Sequence, residues 1–258
     1  MKISHLISFL FIPVAFAHTE GGSWSSDRPD SHAPIGVMGD HTHKAGEFML
    51  SYRYMFMRME DNYDGSDSIA NTSFAGPPPA PFRVAPIDMD MEMHMIGAMY
   101  APTDRLTLMG MLNLVDLSMN HSNLANGMQF RTESSGLGDS SLSALYHFWG
   151  GEGQYRNQRA HLGLGILLPT AEVDKRDFIP GPGVTRLPYP MQLGAGSWGI
   201  SPSLTYWAQE PDWSWGGQVS SKIYLGDNGE DYRLGNNWQA TAWASRQITE
   251  GISVSARL

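Results

Sequence analysis

The sequence predicts an all-β chain, an antiparallel up-and-down transmembrane β-barrel of which about nine strands are visible. Three observations predict it. Apolar and polar residues alternate with a period of two over nine stretches, several of about 10 or more residues where a common strand has about five or six. The links between stretches are short on one side and long on the other, as expected of bacterial outer-membrane barrels. No stretch beyond the leader offers the run of about 20 apolar residues that a spanning helix needs.

The leader is Lys2, an apolar run from Ile3 to Phe16 and the small-x-small signal Ala15-Phe16-Ala17. It marks residues 1–17 as a signal peptide, with the mature chain starting at His18. Residues 18–46 then form a periplasmic N-terminal segment, and 47–258 the barrel domain. In the first strand Phe48, Leu50, Tyr52, Tyr54 and Phe56 share one face, opposite Met49, Ser51, Arg53, Met55 and Met57. Arg58 breaks phase and belongs at the rim. The second strand sets Met89, Met91, Met93, Met95 and Met99 against Asp88, Asp90, Glu92 and His94. The third sets Leu106, Leu108 and Leu112 against Arg105, Thr107 and Asn113, then changes phase near Leu114 and Val115, where a bulge would serve.

Later strands keep the alternation with less charge: Leu142 to Phe148, Leu162 to Leu168, Trp198 to Tyr206, Trp213 to Ile223, Trp238 to Ala242, and Ile252 to Leu258. Stretches 61–86, 121–135 and 169–196 read as long outer loops. Within the last, Leu187-Pro-Tyr-Pro190 cannot supply ladder donors at its prolines, and is either a surface loop or a partial plug folded inward. A secreted β-sandwich or periplasmic lipid carrier also alternates, but with shorter strands. Ending inside a strand at Arg257-Leu258, on an odd strand count, predicts that the natural product carries more strands.

Charged side chains cost ~2 to 4 kcal/mol at the lipid midplane, so Arg53, Asp88, Asp90, Glu92 and His94 are expected to line the lumen, with Asp139 either lumenal or satisfying turn amides. The Met89 to Met95 row should then face lipid. Lumenal Met55, Met57, Met109 and Met111, with His41, His43 and His94, form a candidate Cu(I) set; packing is the simpler reading of the methionines, and a solvated or capping pair that of His41 and His43. Otherwise no cofactor is expected. The net charge of −9, from 17 basic and 26 acidic residues without a basic block, excludes nucleic acid as a partner. The absence of cysteine excludes disulfides and thiol chemistry. No nucleophile elbow, zinc-protease helix or phosphate loop is present, so an enzyme is not expected.

Residues 33–55 (Ala33-Pro-Ile-Gly-Val-Met-Gly-Asp-His-Thr-His onward), 99–109, Ser135-Gly-Leu-Gly-Asp139, Leu168-Pro-Thr170 and Leu187 to Gly194 resemble the outer-membrane transporter family linked to the meta-pathway of phenol degradation. The resemblance spans residues 33–258. It implies a barrel in the bacterial outer membrane admitting hydrophobic or aromatic compounds, with no catalytic residues to carry over. The expected function is therefore a passive channel whose partners are the bilayer and a small-molecule solute. A copper-binding or copper-permeable barrel and a structural surface barrel with a filled interior are the alternatives.

Overall fold

The computed structural model describes residue 25, residues 28–76 and residues 82–258. The signal peptide, His18 and Pro77-Pro78-Pro79 lie outside the described residues. Among the described residues, fourteen strands occur in chain order. Strand β1 (Phe48–Glu60) is followed by a small hairpin, β2 (Asn62–Asp64) and β3 (Asp67–Ile69), and then by the long strands β4 (Val84–Thr103) and β5 (Leu106–Asn123). Next come β6 (Met128–Leu137), β7 (Ser140–Gly150) and β8 (Gln158–Leu168), and a second small hairpin, β9 (Arg176–Ile179) and β10 (Gly183–Arg186). The last four are β11 (Gly199–Gln209), β12 (Trp213–Tyr224), β13 (Asn237–Thr249) and β14 (Ile252–Arg257).

The main sheet runs β1-β4-β5-β7-β8-β11-β12-β13-β14, every neighbour antiparallel, with β6 pairing the far half of β5. This is the up-and-down meander expected from the alternation. Strands β6 and β7 are one run along β5, interrupted at Gly138-Asp139, where Gly138 leaves the ladder and donates to the Asn113 carbonyl. A Cβ on Gly138 would lie 3.0 Å from Val115 and 3.2 Å from the Leu193 carbonyl, so a side chain at the break would need these neighbours to give by a few tenths of an ångström. One end of the sheet carries the links 104–105, 151–157, 210–212 and 250–251; the other carries 61–83, 124–127, 169–198 and 225–236. The expected asymmetry is there, with one correction. Much of 121–135, read as a loop, is the end of β5, a tight turn and most of β6, because Asn123 and Asn126 side chains cap the turn amides and allow the hairpin to close quickly.

The sheet is strongly curled. Laid flat, eight interstrand gaps of ~4.8 Å would hold β1 and β14 roughly 38 Å apart. Yet Arg53 of β1 donates to the Val37 carbonyl, and the Arg257 guanidinium of β14 lies against Gly36, so adjacent residues of one segment touch both edge strands. The result is a half-barrel wrapped around residues 28–43. The sequence reading sets 18–46 apart from the barrel; the described part of it packs inside instead. The reason is donor supply: an unpaired backbone carbonyl in the interior is costly, and the inner face offers Ser214 to Asp30 (2.6 Å), Ser253 to Pro29 (2.8 Å), Gln218 to Met38 (2.9 Å) and the His161 ring to Gly39 (2.8 Å). Val37 adds an apolar contact with Trp207 and Trp243.

The convex face is apolar where the strands run side by side. Phe48, Leu50, Tyr52, Ile96, Leu108, Leu112, Leu142, Leu162, Leu164, Ile166, Leu204 and Val219 are all exposed there. A soluble chain rarely presents so broad an apolar surface.

Candidate functional site: a methionine-lined chamber between two inward loops

Register decides what faces the interior. Directly paired residues of antiparallel strands share a face. Arg53 pairs with Met95, Met55 with Met93, Met57 with Met91 and Met59 with Met89, while Phe56 pairs with Glu92 and Tyr54 with His94. The Met89 to Met95 row therefore faces inward, not outward as expected. Asp88, Asp90, Glu92 and His94 stand on the convex face, not in the lumen. Their physical licence comes from height. Along the convex side of β5, Leu106, Leu108, Leu112 and Leu114 give way to Asp116, Ser118 and Asn120, which pair with Glu92, Asp90 and Asp88. The acidic row thus sits above the apolar band, beside Asn120 and Arg58. His94 marks the boundary, its Nδ1 2.7 Å from the Tyr52 hydroxyl.

The same register removes the expected bulge at Leu114 and Val115. Pairing of β4 with β5 is unshifted there; the irregularities fall at Pro86/Asp88 and Tyr100/Thr103. What changes is the environment, since Val115, Leu117 and Met119 on the inner face pack against an inward loop.

That loop is the end of 169–198. Leu187, Met191 and Leu193 form one buried cluster with Met89, Val115, Leu117 and Met119. Fully burying a side chain of this size contributes about 1.5 to 3 kcal/mol. Ser134 donates to the Met191 carbonyl at 2.6 Å. Asp139 anchors the stretch by accepting from the amides of Ala171 (3.2 Å), Ala195 (2.6 Å) and Gly196 (3.3 Å), the turn-satisfying role that the sequence left open beside the lumenal one. Leu187-Pro-Tyr-Pro190 is accordingly part of an inward plug. Its three-residue 3-10 turn, Tyr189–Met191, places Met191 at 0 % exposure.

Between this upper plug and the lower segment lies a cavity of about 410 Å³. Gly36 to Gly39 form its floor and Leu193 to Ala195 its roof. Met93, Met95, Met109 and Met111 make one wall; Ser141, Ser143, Ser201, Ser203, Gln218 and Lys222 line the other. Met109 and Met111 are inward as expected, as are Met55 and Arg53, whose guanidinium also contacts the Met38 sulfur. Met57 lies on the inner face nearer the open rim. In all, twelve of the chain's 16 methionines share the inner face of β1, β4 and β5: Met49, Met55, Met57 and Met59; Met89, Met91, Met93, Met95 and Met99; Met109, Met111 and Met119. Only the register, which a sequence does not display, brings the two methionine sets onto one wall. Thioethers are flexible and polarisable, and a sulfur near a ring edge contributes about 0.3 to 1.5 kcal/mol.

His41 and His43 sit together in the lower segment, ring centroids 4.8 Å apart, with His32 4.5 Å from His41. His94 is on the convex face, so it does not join them. Asp40 is buried. Burial alone would raise its pKa, but the His41 hydrogen bond, the His41 and His32 charges and the Ala33 amide together hold it below the ordinary carboxylate range. Burial first, and then the neighbouring His41 ring, hold His32 and His43 below the ordinary histidine value.

The family described as "Putative MetA-pathway of phenol degradation" matches residues 78–257, from the link ahead of β4 to the end of β14, and the chain belongs to it. The match leaves out β1 and the segment carrying His32, His41 and His43. A search of curated proteins found no match.

Proposed function

We propose that the protein stands in the bacterial outer membrane and passes small hydrophobic or aromatic molecules by passive diffusion through the methionine-lined chamber. The observation that carries this reading is the pairing of an apolar convex band with a partly open interior cavity of about 410 Å³. Its partners are the bilayer and the solute. An apolar cavity of roughly 150 Å³ suffices to hold benzene, so the chamber has room for a one-ring compound and several waters. Methionine walls suit such a guest through sulfur–ring contacts, while the serine and Gln218 side supplies hydrogen bonds for a ring hydroxyl. The long-loop end faces outward and the short turns face the periplasm, the usual orientation of such barrels. Floor and roof both interrupt the path, so passage requires one loop to shift, and selectivity follows from chamber width and lining.

The test is flux. Full-length protein in proteoliposomes should admit phenol and catechol faster than protein-free vesicles and faster than glucose or chloride. Absence of any protein-dependent flux would end the transport reading. The inward methionine row also favours a second reading, passage of Cu(I) along thioethers, soft ligands suited to that ion. A Cu(I)-selective leak, abolished by Met93→Leu with Met109→Leu and without phenol flux, would replace the first reading with the second.

A further inference from the structure

We propose that His32, Asp40 and His41, with His43 beside them, bind one divalent transition-metal ion inside the lower segment. Each of the first three offers one ligand atom, and these atoms lie within 4.8 Å of one another. A tetrahedral ion with bonds of ~2.1 Å holds its ligand atoms roughly 3.4 Å apart, so small side-chain rotations complete the site. The independent observation is at the ring nitrogens. His41 has a side chain only 10 % exposed, and its Nε2 is buried with no hydrogen-bond partner among the described residues; the same is true of His43 Nε2. Buried polar atoms in folded chains are rarely left so.

The opposite nitrogens explain the orientation. Asp40 Oδ1 is 2.9 Å from His41 Nδ1, and Glu47 Oε2 is 3.3 Å from His43 Nδ1. Glu47 at Nδ1 of His43 holds the proton there and leaves the buried Nε2 to a ligand, the arrangement that supports histidine ligands of metal ions; Asp40 is itself a ligand, and the ion would take the place of its hydrogen bond to His41. The other Asp40 oxygen, Oδ2, lies 3.9 Å from His32 Nδ1. Imidazole and carboxylate donors without thiolate suit zinc(II) or copper(II). A bound ion would cross-link residues 32–43, the chain that forms the chamber floor. The inference is independent of what the chamber carries.

The test is metal titration of full-length protein in detergent, first stripped with a chelator, using zinc chloride and copper(II) sulfate in separate calorimetric runs. One tight site per chain is expected, with affinity reduced by more than about tenfold in His41→Ala and His32→Ala and by about 10- to 100-fold in Asp40→Asn. His94→Ala, on the convex face, should bind like wild type. The His32 side chain is 55 % exposed, so His32→Ala keeps its fold and guards against misfolding of the more buried variant. Copper(II) electron paramagnetic resonance should show two or more nitrogen ligands in wild type and one fewer in His32→Ala. No tight site in wild type, or equal affinity in wild type, His32→Ala and His41→Ala, would overturn the proposal.

Discussion

The two halves of the β4–β5 pair are opposites. In the half near the short turns, the convex side is Tyr100, Ile96, Leu108, Leu112 and Leu114, and the inner side includes Met95, Met111 and Asn113 about a cavity. In the far half the convex side is Glu92, Asp90, Asp116, Ser118 and Asn120, and the inner side is Met89, Val115, Leu117 and Met119 packed on a loop. The backbone alternation is the same throughout; the surroundings change. A charged residue therefore reports the interior only where the convex face beside it is apolar, and beyond that band an acidic row can stand on the outside.

Four substitutions sharpen this contrast. The largest effect is expected in the far half, where Met191→Ala removes a fully buried side chain from the upper plug and costs about 2 to 5 kcal/mol of plug stability. Limited proteolysis in the 169–198 loop should accelerate and solute flux should rise; unaltered proteolysis would mean that the plug is not held by this cluster. Next, Leu164→Arg, on β8 level with Leu108 of the near half, should cost ~2 to 4 kcal/mol when urea titrations are run on protein folded into liposomes. Third, Asp139→Ala strips three amides of their acceptor and should cost ~1 to 3 kcal/mol, with hydrogen exchange rising first at Ala195 and Gly196. Smallest is Ser118→Arg, on the convex side of the far half, expected within about 0.5 kcal/mol of wild type in the same urea titration used for Leu164→Arg. A cost equal to that of Leu164→Arg would erase the distinction between the halves.

Much of the architecture could be read without coordinates. Period-two alternation located the strands because a half-buried sheet forces it on every residue, and the prolines flanking Tyr189 pointed to a non-ladder segment able to turn inward. Arg53 reads as inward from its own strand, which carries five aromatic or aliphatic residues on the opposite face, and its guanidinium meets the Val37 carbonyl on the inner side. Asp90, Glu92 and His94 were assigned the wrong side for two physical reasons. The β1–β4 pairing register is set across a long link and leaves no local trace, and the sequence does not say where along a strand the apolar convex band ends. The apparent phase change at Leu114 had the same origin, being a change of solvent on both faces at once. The lower plug is hidden because its polar residues resemble ordinary loop chemistry until the inner-face donors to the Pro29, Asp30, Met38 and Gly39 carbonyls are placed.

The most direct test of this division is depth measurement along one strand. Leu112→Cys, Leu114→Cys, Asp116→Cys and Ser118→Cys, each spin-labelled in a chain with no native cysteine and reconstituted in liposomes, can be probed with oxygen and with a water-soluble nickel chelate. The account predicts oxygen-accessible, nickel-shielded labels at 112 and 114 and nickel-accessible labels at 116 and 118. Nickel access at all four positions, or lipid-like shielding at 116 and 118, would contradict it.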